Sequence, residues 1–178
     1  MSDVVDHTVR SEAVLIGHSM GGAVAVEAAR TLGGRAVRVI CLDALHYDDW
    51  YRRRDDVFVR KTLDSYAADF PTRVHALVQH LFVDRTNSGL IDDIAATMSS
   101  VPVPDALAAL RALLEWDRDR ALRETHAPVD VIASRAFLEP EIAAHLEQWT
   151  RITPVDFGGH FFLREDPART AALIARIV

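Results

Sequence analysis

The sequence has a single cysteine, Cys41, among its 178 residues, so no intrachain disulfide is possible and a disulfide framework is excluded as the source of stability. Cys41 lies inside an apolar strand pattern, where a core role suits it better than a reactive one, and reducing conditions suit the chain. A basic excess is missing too. Lys+Arg number 20 against 26 Asp+Glu, for a formal net charge of -6, which leaves no electrostatic footprint for nucleic acid. The only basic run, Arg52-Arg53-Arg54, is followed at once by Asp55-Asp56 and reads as a solvated helix face. No stretch approaches the length of a membrane span, and the start, Met1 to His7, has neither the basic nor the apolar region of a secretory signal. A cytoplasmic location is expected. His7, His46, His75, His80, His126 and His145 make no metal-ligand spacing, and neither a metal nor a cofactor is expected.

What is present is an ordinary globular composition, 49% hydrophobic and 26% charged, enough for one core and one insertion. Its most informative stretch is Ala13-Val14-Leu15-Ile16-Gly17-His18-Ser19-Met20-Gly21-Gly22. Ala13 to Ile16 is too short for a helix and reads as a buried strand, while Ala23 to Leu32 is rich in helix formers and stops at Gly33-Gly34. Ser19 therefore sits in a Gly-x-Ser-x-Gly turn between strand and helix, the arrangement of a nucleophile elbow. So tight a turn is expected to leave room only for hydrogen at Gly17 and Gly21. It lifts the Ser19 hydroxyl clear of the backbone and leaves the Met20 N–H at a helix start, where an anion is favoured. Met20 and His18, on either side of the serine, are the candidate oxyanion and substrate-side residues.

These ten residues resemble the α/β-hydrolase family, and the rest of the chain can be set beside it. Val4, Val5, Thr8 and Val9 predict a short helix over residues 3 to 11. Ala36 to Leu42 reads as a second, nearly continuous apolar strand, as buried parallel strands do, with Asp43 at its carboxyl end. From His46 to about Thr125 the pattern is helical, with helices opened by Pro71 and Pro104 and another marked by Leu90, Ile91, Ile94 and Met98. Strand follows at Val129 to Ala133, then a helix from Glu139-Pro140 to about Trp149, a last strand near Arg151 to Asp156, and a final helix capped at Asp166-Pro167. The expected architecture is α/β, with a mostly parallel sheet and helices on both faces. Residues 1–45 and 127–178 would form the core and 46–126 a helical insertion. The resemblance implies that this insertion is a lid whose apolar faces could meet an acyl chain or aromatic group, although such faces mostly pack on one another.

A serine hydroxyl needs a base, and histidine is the usual one. His160 follows the last strand in Phe157-Gly158-Gly159-His160-Phe161-Phe162-Leu163, on what reads as a flexible-backbone loop at the same sheet edge as Ser19. Serine before histidine is the chain order of the family, and the segment has some likeness to type II thioesterases. A carboxylate should fix the imidazole tautomer. The family's usual acid follows the strand before the last, but Ser134-Arg135-Ala136-Phe137-Leu138-Glu139 holds no aspartate. Asp43 is the candidate, since some members of the fold take the acid from the strand after the elbow; Glu139 is the alternative, though a carboxylate before Pro140 also suits a helix start.

The expected function is hydrolysis of a carboxylic ester, thioester or related acyl bond of a small molecule through an acyl-enzyme. The same fold also hosts C–C hydrolases, perhydrolases and lyases, and a truncated or inactive relative acting as a binding or interaction protein is a further reading. In the family several strands precede the elbow, and an early loop gives the second oxyanion donor. The chain is therefore expected to be the carboxyl-terminal portion of the fold, with the elbow strand as an open edge that invites self-association.

Overall fold

The computed structural model describes residues 11–178; the expected helix over residues 3 to 11 lies, but for its last residue, outside them. In chain order the described elements are β1 (Ala13–His18), α1 (Met20–Leu32), β2 (Ala36–Leu42), α2 (Asp48–Tyr51), α3 (Asp56–Ala68), α4 (Phe70–His80) and α5 (Ser88–Ser99). They continue with α6 (Val103–Glu115), α7 (Arg118–Glu124), β3 (Val129–Ser134), α8 (Pro140–Leu146), β4 (Thr150–Val155), α9 (Phe162–Glu165) and α10 (Pro167–Ile177). A single 3-10 turn, Gly33–Arg35, links α1 to β2. The helix after Pro140 stops at Leu146, three residues short of the expected Trp149.

The chain divides into two compact units, one running to Tyr51 and resuming at Asp117–Val178, the other Arg52–Trp116. The first is built on a four-stranded parallel sheet in the order β1-β2-β3-β4. Each crossover carries a helix, as parallel pairing requires. The middle strands are the near-continuous apolar runs: β3 is buried throughout and β2 is buried from Val39 to Leu42. β1 is less covered, with Ile16 48% exposed, and among the described residues it forms one edge of the sheet. Side chains alternate across a strand, which divides β2 between two layers. Ile40 and Leu42 pack with Ile132, Val155 and Phe162, and with Leu173, Ile174 and Ile177 of α10. Cys41 points the other way, toward Gly22 of α1, fully buried, its thiol pushed up to about 12 by burial first and by Asp130 second.

In the helical unit, α3, α4 and α5 begin at side-chain caps, where Asp55, Asp69 and Asn87 accept from the N–H groups of Phe58, Thr72 and Leu90. Their apolar residues recur at helical spacing and are buried: Val59 and Leu63, Val74 and Val78, Ile91 and Ile94. α4 packs on α5, and α3 on α6, which buries Leu110, Leu113 and Leu114. The unit is narrower than the insertion read over 46–126. Helical periodicity cannot tell which body a helix belongs to, and α2 and α7 belong with the sheet. One reason is Arg118, only 4% exposed, whose Nη1 donates to the Leu45 carbonyl at 3.0 Å while Nη2 lies 3.5 Å from Asp48 Oδ1. No helix among the described residues is long and apolar enough to cross a membrane.

Candidate active site

Ser19 occupies the turn between β1 and α1 with φ 53 and ψ −129, a left-handed conformation that costs a non-glycine residue about 1–3 kcal/mol and persists only where neighbours enforce it. The Ser19 N–H donates to the Leu42 carbonyl at 3.0 Å, and its carbonyl accepts from Gly22 N–H at 2.7 Å. A Cβ built on Gly17 would lie 2.0 Å from the Gly21 carbonyl oxygen, so the turn closes only over glycine there. The same expectation for Gly21 fails, since a Cβ at Gly21 meets nothing within 4 Å. The second close approach falls one residue later, at Gly22, where an added Cβ would stand 2.5 Å from Ala44 Cβ. Met20 opens the helix, so its N–H has no carbonyl within the helix to bind.

Asp43 follows β2 with φ 44 and is fully buried. Its Oδ1 accepts the Ser134 N–H at 2.6 Å, and its Oδ2 lies 2.7 Å from His160 Nδ1 and accepts the Tyr47 hydroxyl. A buried carboxylate with this many hydrogen-bond partners is held in one rotamer. Asp43 is thus the carboxylate that the fold brings to His160, across 117 residues of sequence. Glu139 stands exposed at the start of α8 without a capping bond.

His160 is 4% exposed, and its Nδ1 is the ring nitrogen that Asp43 engages. Its loop is fastened rather than flexible. Gly158, at φ 68, supplies a conformation rather than mobility. Its carbonyl accepts the Ser134 hydroxyl at 3.1 Å, and Glu165 Oε1 accepts Gly159 N–H at 2.7 Å. His18 completes the clamp, with Nε2 2.8 Å from the His160 carbonyl and its ring centroid 4.7 Å from that of His160. The side chain read as substrate-facing therefore binds the histidine loop. Burial first, and His160 second, lower the His18 pKa to about 4, so the ring is neutral near pH 7 and donates from Nε2.

Three aromatic side chains after Asp43 complete the cluster. Tyr47 reaches both Asp43 Oδ2 and His160 Nδ1, the latter at 3.2 Å. His46 stacks on Tyr47 with centroids 4.3 Å apart; its Nδ1 is 3.1 Å from the Ala44 carbonyl, and its buried Nε2 lacks a hydrogen-bond partner, 3.5 Å from Asp43 Oδ1. Burial first pushes the Tyr51 hydroxyl pKa up, and a hydrogen bond from the Ser19 side chain works the other way. Sequence reasoning weighed His46 as a metal ligand and missed Tyr47, Tyr51 and Ser134. Their one signal was position, within a few residues of the carboxyl ends of β2 and β3. Among the described residues no group of three or more His, Cys, Asp or Glu is arranged to hold a metal.

A serine on a strand-to-helix elbow, with a buried Asp-His pair beyond neighbouring strands, defines an α/β fold in which these side chains lie at the carboxyl ends of parallel strands. The chain belongs to the alpha/beta hydrolase family, whose model matches residues 1–173. Among solved structures it is similar to an esterase from Exiguobacterium antarcticum, with a TM-score of 0.79 at 16% identity over 98% of this chain and 69% of that one. An esterase from Thermogutta terrifontis gives 0.79 at 21% identity over 97% and 67%. The enol-lactonase from Burkholderia xenovorans LB400 gives 0.77 at 16% over 97% and 68%. At such identities the likeness is one of fold, and the chain spans about two thirds of the length of these structures. No curated protein sequence matches it.

Proposed function

We propose that the chain carries the reactive half of a serine hydrolase acting on a carboxylic ester, thioester or related acyl bond of a small molecule. The observation that supports this most is the 2.7 Å contact between Asp43 and His160 Nδ1, beside a serine held in a strained elbow. Ser19 Oγ attacks the acyl carbon while His160 Nε2 takes its proton, and Asp43 fixes the tautomer and stabilises the imidazolium that results. The Met20 N–H, at a helix start, donates to the oxyanion. His160 then returns the proton to the leaving group, and water releases the acyl group by the same steps in reverse. Esterases and a lactonase among the similar structures are in keeping with an acyl substrate.

A fluorophosphonate reporter tests this reading: it should label Ser19 in folded protein, and Ser19→Ala should abolish labelling. Labelling that survives the substitution, or none at Ser19, refutes it. We further propose that the β1 edge, unpaired among the described residues and with Ile16 exposed, pairs with another strand. A monodisperse monomer by size-exclusion chromatography across the micromolar range would exclude pairing with a second copy.

A further inference from the structure

Asp43 Oδ2 has two partners where the proposed reaction uses one. His160 Nδ1 lies 2.7 Å from it, and the Tyr47 hydroxyl donates to the same oxygen. Tyr47 Oη is also 3.2 Å from His160 Nδ1, so the carboxylate oxygen, the phenol oxygen and the ring nitrogen form a closed triangle. A phenol has one proton to give, and here it goes to Oδ2. Oδ1 is already taken by the Ser134 N–H at 2.6 Å, which keeps the carboxylate from turning to separate its partners. Tyr47 is fixed as well. Its carbonyl accepts the N–H groups of Trp50 and Tyr51 at 3.0 Å each, at the start of α2. Its ring packs against His46 at 4.3 Å, Phe137 at 6.1 Å and, edge-on, His160 at 5.4 Å between centroids. Burial first, and Asp43 second, push the phenol's pKa up, so the hydroxyl keeps its proton at any working pH.

We propose that Tyr47 is a positioning residue that moderates His160 by holding part of the charge on Asp43 Oδ2. This rests on Ser19, His160 and Asp43 acting as nucleophile, base and carboxylate. As Ser19 Oγ bonds to the acyl carbon, the carbonyl π pair moves onto oxygen and the serine proton goes to His160 Nε2, leaving an imidazolium whose Nδ1–H faces Oδ2. When the tetrahedral species collapses, the carbonyl re-forms, the bond to the leaving group breaks, and the Nε2 proton goes to the leaving-group oxygen. The first transfer gains from a strongly charged Oδ2, and the second loses by it. Tyr47 keeps its proton throughout and draws on that charge, since a donor to a carboxylate oxygen stabilises the anion and weakens its pull on any other donor there. The imidazolium is then held loosely enough to give its proton up. That matters for an alkoxide leaving group and little for a phenolate, which departs without a proton.

Tyr47→Phe keeps the ring contacts and removes the donor. The Nδ1 proton of His160, read by NMR and assigned by its loss in His160→Gln, should then move downfield as Oδ2 turns its full charge on it. A resonance that stays, moves upfield or is lost to exchange overturns the proposal, the last two marking a merely structural role. The same variant should lower kcat/KM for ethyl butyrate about tenfold relative to p-nitrophenyl butyrate, the order expected for one hydrogen bond to a charged group. A ratio within about threefold of wild type overturns the proposal. Should Tyr47→Phe not fold, 3-fluorotyrosine in place of Tyr47, a more acidic phenol and a stronger donor, should move the Nδ1 proton upfield, and an unmoved or downfield signal overturns the proposal. A wild-type protein never labelled at Ser19 by a fluorophosphonate overturns this reading together with the proposed function, whereas normal labelling with an indifferent Tyr47→Phe overturns this one alone.

Discussion

Replacing Asp43 by asparagine exchanges one carboxylate oxygen for an NH2 group of nearly the same shape. Oδ1 accepts the Ser134 N–H and Oδ2 faces both Tyr47 and His160, so an amide cannot serve both sides. With its oxygen toward Ser134, the NH2 group points at His160 Nδ1, which must then present a lone pair and move its proton to Nε2. A ring protonated at Nε2 cannot take the serine proton. The cost expected for such a tautomer switch is about 10,000-fold in kcat, which is about 5 kcal/mol at 1.36 kcal/mol per tenfold. Folding should suffer far less. Weakened charge-assisted bonds cost about 1.5–3 kcal/mol each, but a buried carboxylate no longer has to be desolvated, and a net loss of about 1–3 kcal/mol is expected. Turnover of an activated acyl ester, beside a thermal melt of the same sample, measures both. A kcat within tenfold of wild type in a folded variant would refute Asp43 as the residue that orients His160, and a large loss in Glu139→Gln would transfer the role to Glu139.

Gly17→Ala should destabilise the protein by about 3 kcal/mol or more, since backbone atoms at the elbow cannot yield as side chains do, whereas Gly21→Ala should shift stability by less than about 1 kcal/mol; equal losses in denaturant titrations would count against the geometry of the turn. The His18 pKa near 4 in the folded chain, against 6.5 for a free histidine, means that between these values the unfolded chain holds a proton that the folded one does not. Stability from this source is complete above pH 6.5 and is lost as pH falls toward 4. The thermal midpoint should therefore drop more steeply from pH 7 to 5 in wild type than in His18→Gln, and parallel curves would show that His18 does not contribute.

The elbow was legible because Gly17 to Gly22 writes strand, turn and helix in consecutive residues, a purely local pattern. The sheet was legible in the apolar runs of β2 and β3, and the helices in their caps and spacing. Asp43 stood out only as an acid at a strand end, because its contact with His160 depends on β2 and β4 being set two strands apart in one parallel sheet. Ser134 looked like a gap where an acid was expected. In the fold that position holds the acid of the neighbouring strand through its N–H and the histidine loop through its hydroxyl. Tyr47 and Tyr51 were illegible because their reach follows from left-handed residues at Asp43 and Leu45, and nothing in residue type announces those. Gly158-Gly159 misled in the other direction, since glycine there allows a conformation that hydrogen bonds then hold.

Arg118 has one more consequence. Its guanidinium fastens the residues just after the helical insertion to Leu45 and Asp48, just before it, so the entry and exit of Arg52–Trp116 are anchored from the sheet side. What lies between those anchors behaves as a loop with fixed ends, and doubling the length of such a loop costs only about 0.6 kcal/mol of closure entropy. The insertion can therefore lengthen, shorten or be exchanged for another helical cassette while Asp43 and His160 keep their spacing.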